Sequence, residues 1–301
     1  MGSSGILNLN KPQGVTSFAM VSLVRRLTGE RRVGHAGTLD PLASGVLPIL
    51  LGQGTRMMEF ISLQPKRYRA TIRLGVSTDT GDSEGAVVSE GDCSAVSAET
   101  LEAALATFKG SIQQIPPMYS ALKHKGEPLY RLARQGLSVP RAARTAHIWS
   151  LDLLSWQPPS ATVELDCSKG TYVRSLAMDL GDKLGCGAHL TSLARLRSAF
   201  LTLEDAISPA DLEEAVRLEC WRELLYPVDE AVLDFTAVIV GQSTEQAIRT
   251  GRPLDRQAVP PGEPGTWCRA YSLAGGLISL LRFQPEAEVW HPDRVFPVET
   301  G

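Results

Sequence analysis

The sequence predicts a body of mixed helices and strands, followed by a small all-β module. Three observations carry this. Residues 66–75 and 161–167 alternate apolar and polar positions with the two-residue period of a strand. Residues starting near Thr16, Ser97, Val173 and Ser208 repeat apolar side chains at helical spacing, three of them behind a capping side chain. Near residue 235 the texture changes to short apolar runs between glycine and proline clusters: VIVG, GRPL, VPPGEPG, GGLISLLRF and HPDRVF.

Composition bounds the function. Of 301 residues 43% are hydrophobic and 21% charged, as a globular core requires. No run of about 18 apolar residues marks a membrane span, and no secretory leader pattern is visible. The cysteines (Cys93, Cys167, Cys186, Cys220 and Cys268) are odd in number and scattered, which fits a reducing cytoplasm and excludes paired zinc ligands. The histidines (His35, His124, His147, His189 and His291) are equally dispersed, so no metal and no membrane partner are expected. Net charge is −3 but divides unevenly. Residues 1–200 hold 22 Lys and Arg against 16 Asp and Glu, whereas residues 201–301 hold 8 against 17. Residues 123–147 concentrate Lys123, Lys125, Arg131, Arg134, Arg141 and Arg144 against Glu127 alone. That is the footprint of a phosphate-facing surface, or else of a solvated helix face.

In chain order, residues 6–9 read as a short strand, and Lys11-Pro12 and Gly14 as a loop. Thr16 or Ser17 caps a helix with Phe18, Val21, Val24 and Leu27 at helical spacing, ended by Gly29. GHAGTLDPLASGVL, residues 34–47, follows. It sets a lone carboxylate, Asp40, among glycines and small residues, with His35 five positions upstream. Pro41 biases Asp40 towards extended or turn backbone, and the apolar run behind it reads as buried. KRYRATIRLG, residues 66–75, is a strand with Tyr68, Ala70, Ile72 and Leu74 on one face and a basic opposite face. STDTGDSEG, residues 77–85, is a polar acidic loop without a calcium-binding pattern. Residues 115–136 are a proline-led loop, a basic hairpin-like stretch and a helix with Pro128 in its first turn. KGTYVR, residues 169–174, is a glycine turn leading into a helix, and residues 185–200 are glycine-rich, then apolar and basic.

Five stretches in order resemble the TruB family of tRNA pseudouridine synthases: LNLNKPQGVTS, GHAGTLDPLASGVLPILLG, KRYRATIRLGVSTDTGDSEG, IPPMYSALKHKGEPLYRLARQG and CSKGTYVRSLAMDLGDKLGCGAH. The tail, with AIRTGRPL, GGLISLLRF and HPDRVFPV, more loosely resembles a PUA-like RNA-binding domain. The resemblance implies an α+β fold with a central, mainly antiparallel mixed sheet and a basic cleft. It implies a catalytic domain over 1–235 and a PUA-like domain over 236–301. It implies isomerisation of uridine to pseudouridine at position 55 in the T-loop of tRNA, with base flipping, no cofactor and no protein partner. Asp40 would be the nucleophile, Arg174 its ion-pair partner, and Tyr68 the group handling the C5 proton. Tyr172 and Tyr68 would contact the target base. His35 would fill the space left by the flipped uridine, Leu193 would close the base pocket, and Lys11 would steady the loop beneath. Arg131, Arg134, Arg141 and Arg144 would meet the RNA backbone. Two other readings are an RNA-guided synthase of the box H/ACA type and a tRNA-folding chaperone.

Overall fold

The computed structural model describes residues 3–120, 122–254, 263 and 265–297, the side chains of Lys123, Tyr130 and Arg134 excepted. The chain opens with β1 (Gly5–Lys11), α1 (Ser17–Thr28), β2 (Val33–His35) and β3 (Ala43–Leu51). A 3-10 turn leads into α2 (Met58–Leu63), then β4 (Lys66–Leu74) and a small hairpin of β5 (Val76–Thr78) and β6 (Val87–Glu90). Next come α3 (Ala98–Ala106), β7 (Gly110–Gln114), a second hairpin of β8 (Lys123–His124) and β9 (Glu127–Pro128), and α4 (Leu129–Arg134). The long hairpin of β10 (Arg144–Gln157) and β11 (Ser160–Cys167) leads to α5 (Val173–Leu184), β12 (Ala188–Ser198), β13 (Leu201–Thr202), α6 (Pro209–Arg217) and β14 (Leu225–Tyr226). The tail holds β15 (Thr236–Ile239), α7 (Gln242–Arg249), β16 (Trp267–Tyr271), β17 (Leu277–Gln284) and β18 (Val289–Val295).

Ten strands make one sheet in the order β14-β1-β3-β12-β4-β11-β10-β7, with β13 and β2 attached to β12 and β3. Its pairings are antiparallel except β3 with β12. The expected mainly antiparallel mixed sheet is therefore the sheet found. Helices α1, α3, α5 and α6 bury their apolar stripes on it, through Val21 and Val24, Leu101 and Leu105, Leu176 and Leu180, and Leu212. The caps read from sequence are present. Thr16 accepts from the Ala19 N–H at 3.0 Å, Gly29 is left-handed at φ 71°, and Ser208 and Asp211 form a capping box.

Two elements differ from expectation for physical reasons. Phe18 points outward, 69% exposed, although it keeps helical spacing with Val21. Ser17 takes the inward place because its hydroxyl bonds both the N–H and the C=O of Leu39. The basic face of β4 is also largely neutralised. Arg67 and Arg69 pair across the ladder with Asp166 at 2.5 Å and Glu164 at 3.0 Å on β11, and Arg197 joins Asp166 at 2.8 Å. The long strands β10 and β12 were not assigned from sequence, because bulges break their alternation.

The tail is a four-stranded sheet, β15-β16-β17-β18, with the short helix α7 beside it. A cluster of Leu50, Met57 and Phe60 with Leu280 and Phe296 joins it to the body. Phe60 meets Trp267 edge-on at 5.1 Å, and Arg294 lies over Phe60 while pairing with Glu59 at 2.7 Å.

Gly45 is where β3 and β12 touch most closely. Its φ is +100°, and an added Cβ would lie 2.3 Å from the Arg195 carbonyl oxygen. Gly45→Ala is expected to cost about 2 kcal/mol or more through strain and collision. The urea midpoint should fall with an unchanged slope; an unshifted midpoint would contradict the tight β3–β12 contact.

Candidate active site

Asp40 opens a turn closed by the Ala43 N–H donating to the Asp40 carbonyl at 3.0 Å, with Pro41 at the second position, where its fixed φ suits the turn. Three contacts hold this turn from behind. Ser17 grips Leu39 as described. Gly14 donates its N–H to the Pro41 carbonyl at 2.8 Å. Lys11, wholly buried, donates its ammonium to the carbonyls of Pro12, Val15 and Pro41 at 2.9, 2.7 and 3.4 Å. Lys11 thus ties the loop after β1 to the residue following Asp40.

Arg174 arrives from the other side of the sheet order. Gly170, at φ 76°, turns the chain out of β11, and Tyr172 starts α5. Gln114 fixes that start by accepting the Tyr172 N–H at 3.0 Å and donating to its carbonyl at 3.1 Å. The Arg174 guanidinium is 6% exposed and reaches Asp40 with Nη2 to Oδ2 at 2.8 Å. It also donates to the carbonyls of Thr80 at 3.2 Å and Tyr119 at 2.7 Å, and lies 3.6 Å from the Asp82 carboxylate.

Asp82 is a residue that sequence reasoning missed. The stretch 77–85 reads as a polar acidic loop, yet Asp82 is buried and accepts from the Thr80 hydroxyl at 2.6 Å and the Glu84 N–H at 3.1 Å. The only signal was the aspartate-centred turn itself. Arg195 was missed too. It is buried on β12, and alternation from the inward Leu193 would have placed it on the same face.

The remaining sequence-predicted residues fall into two groups. Tyr68 lies on the apolar face of β4, opposite Leu165 on one side and Arg195 on the other. Leu193 is buried in the sheet, paired with Ala43 and Ala70, so its side chain belongs to the core beside the Asp40 turn. His35 is half-buried on β2, and its Nδ1 has no hydrogen-bond partner among the described residues. The basic stretch stands apart: Arg131 and Arg144 are exposed, and Arg141 donates to the Pro116 carbonyl at 2.9 Å. The side chain of Arg134 lies outside the described residues.

Burial sets the electrostatics. Burial, and secondarily the Asp82 carboxylate, push the Asp40 carboxyl above its usual range, opposed by Arg174 and Lys11. The Asp40 side chain keeps 39% exposure, so it remains open to an incoming molecule. Burial lowers Lys11 to about 8, against the pull of Asp40. His35 is pushed down by burial and by Arg195, which favours the neutral ring. Burial also raises the hydroxyls of Tyr68 and Tyr172. A carboxylate anchored by a buried guanidinium, beside two tyrosines and open on one side, is equipped for nucleophilic or charge-stabilising work. Among the described residues no three His, Cys, Asp or Glu side chains group as metal ligands, and no helix is long and apolar enough to cross a membrane.

Comparisons with known proteins give the class. Residues 25–173 match the family model described as TruB family pseudouridylate synthase (N terminal domain). Residues 174–233 match the one described as tRNA pseudouridylate synthase B C-terminal domain. By fold, a chain of a Cbf5-Nop10-Gar1 complex superposes with a TM-score of 0.77 at 26% identity, covering 97% of this chain and 85% of that one. The protein is a pseudouridine synthase, an isomerase. Among curated relatives, the tRNA pseudouridine synthase B of Dehalococcoides mccartyi is 42% identical over 97% of this chain and 96% of its own. That of Syntrophotalea carbinolica is 52% identical over 76% and 72%. The chain belongs to the TruB family.

Lys11 supplies a test of this electrostatic balance. Its pKa of about 8 lies below its ordinary 10.5, so between those values the unfolded chain binds more protons than the folded one. Stability therefore rises with pH across that window. Lys11→Met removes this contribution, leaving that of Lys66, which burial also lowers to about 8. Urea midpoints at pH 7.5 and 9.5 should differ less in the variant than in the wild type; equal differences would mean that the ammonium is not desolvated.

Proposed function

We propose that this protein converts uridine to pseudouridine at position 55 in the T-loop of tRNA, with Asp40 as nucleophile and tRNA as its only partner. The observation that carries the reading is the 2.8 Å Arg174–Asp40 pair at the mouth of the sheet. The relatives, each a tRNA pseudouridine synthase B, support tRNA as substrate, and the five motifs shared with the family support the T-loop position.

The reaction breaks the bond between uracil N1 and ribose C1′ and forms one between C5 and C1′. The C5 proton leaves and N1 gains a proton, so atoms balance without a cofactor. A uridine in a folded loop must leave its stack to reach Asp40. Arg174 keeps Asp40 ionised and aimed despite burial. Covering by RNA removes water from the 39% of the Asp40 side chain now exposed, which strengthens the pair. Tyr68 and Tyr172 contact the base, and Tyr68 handles the C5 proton. His35, neutral and half-buried, fills the vacated stack, and Leu193 forms the apolar wall of the base pocket. Lys11 holds the turn from behind. Arg131, Arg134, Arg141 and Arg144 meet phosphates, since RNA arms are read largely by shape and backbone. The body ending near residue 235 carries the chemistry, and the PUA-like tail from 236 adds RNA surface.

Asp40→Asn should abolish pseudouridine formation on an unmodified tRNA transcript while leaving its Kd within about twofold, because affinity resides in phosphate contacts. More than trace conversion by the purified variant would sink the assignment of Asp40. Neutralising Arg131, Arg134, Arg141 and Arg144 together should weaken tRNA binding and flatten the log–log dependence of Kd on salt. An unchanged slope would return this stretch to a solvated face.

A further inference from the structure

Arg195 has no role in the reaction as described, yet its setting is costly. It is 1% exposed in the middle of β12. Its Nε donates to the Val46 carbonyl at 2.7 Å and its Nη2 to the Gly37 carbonyl at 2.9 Å. Among the described residues no carboxylate lies within ion-pair distance of it, although ion pairs hold Arg174 and Arg197 nearby. A desolvated guanidinium met by carbonyl dipoles and the Tyr68 hydroxyl, with no carboxylate, is costly to bury, so hydrophobic packing would serve stability better at this position.

Its contacts show what that cost secures. Gly37 and Val46 bracket the segment that carries Asp40, one on each side of the turn. Two donors of one rigid fork therefore staple both ends of that segment to β12. Gly37 is at φ +103°, and a Cβ there would sit 3.3 Å from Nη1, so the backbone closes tightly on the guanidinium. In the β4–β12 ladder Arg195 stands directly opposite Tyr68, which puts both side chains on one face.

We propose that Arg195 is a positioning residue for the reaction: one guanidinium sets the Asp40 turn and the Tyr68 ring in a common register. This rests on the reading of Asp40 and Tyr68 as reacting groups. Its effect falls on the chemical step and not on RNA affinity, because a residue buried this deeply does not touch the substrate.

The test is Arg195→Lys, which keeps the charge but replaces the fork whose separate Nε and Nη2 donors reach the two carbonyls with a single ammonium. Steady-state kinetics on a tRNA transcript should show kcat lowered about 10- to 100-fold, the scale of a misplacement near 1 Å, with KM and Kd for tRNA within about twofold. In a Tyr68→Phe background the same substitution should cost less, since part of its effect is already lost. Wild-type kcat in Arg195→Lys, a raised KM with unchanged kcat, or full additivity with Tyr68→Phe overturns the proposal. Near-ultraviolet circular dichroism verifies the fold. Arg195→Gln, with a planar donor for one carbonyl, replaces the lysine variant where that one is unfolded at assay temperature. Unfolding of both assigns Arg195 to stability alone and likewise overturns the proposal. Asp40→Asn assayed alongside separates the two readings: conversion by that variant refutes the nucleophile, whereas wild-type behaviour of Arg195→Lys refutes only the positioning role.

Discussion

A guanidinium taken out of water must find anions and carbonyls, and Arg174 finds them on three separate segments. Asp40 precedes β3, Thr80 and Asp82 belong to the turn after β5, and Tyr119 lies in the loop after β7. None of these is near Arg174 in sequence. Breaking one partner of such a buried group leaves charge stranded, which typically costs about 3–5 kcal/mol. The loops around the site are therefore fixed by the same guanidinium that pairs with Asp40.

The sheet order makes this convergence possible. Strand β12 is inserted between β3 and β4, so the turn before β3, the Tyr68 position on β4 and the helix leading into β12 meet at one place. The parallel β3–β12 pair is close enough to require glycine at position 45. Behind the turn sit buried cations, Lys11 and Arg195, facing carbonyls in place of carboxylates. The field of Lys11 favours the charged form of Asp40, and that of Arg195 the neutral form of His35. In a site that is covered on binding, preset dipoles and charges of this kind act without the reorganisation water would need.

Among the described residues the tail meets the body on Leu50 of β3, Met57 of the 3-10 turn and Phe60 of α2. Phe60 is wedged against Trp267 and capped by Arg294, an apolar contact with a polar rim. The acidic residues of 201–301 leave the basic character of the chain on the body, where Arg131 and Arg144 stay exposed.

What the sequence determined by itself is local. Caps at Thr16, Ser97 and Ser208, the Gly29 helix end, the β4 and β11 alternation and the Asp40-Pro41 turn are written in short-range steric and hydrogen-bonding preferences, and all are present, whereas the Ser97 helix stops at Ala106, short of Gly110, which opens β7. The motif order also sufficed to name the family and to pair Arg174 with Asp40. What only the tertiary structure decided depends on neighbours distant in the chain. Phe18 yields the inward place to Ser17 because Leu39 supplies both halves of a hydrogen-bond pair. The β4 arginines are neutralised because β11 brings Asp166 and Glu164 opposite them. Asp82 reads as an exposed acid until Arg174 is placed beside it, and Arg195 reads as surface charge until β12 is enclosed by β3 and β4. A charged side chain in sequence carries no mark of burial; its desolvation, and hence its role, exists only once the strands around it have closed.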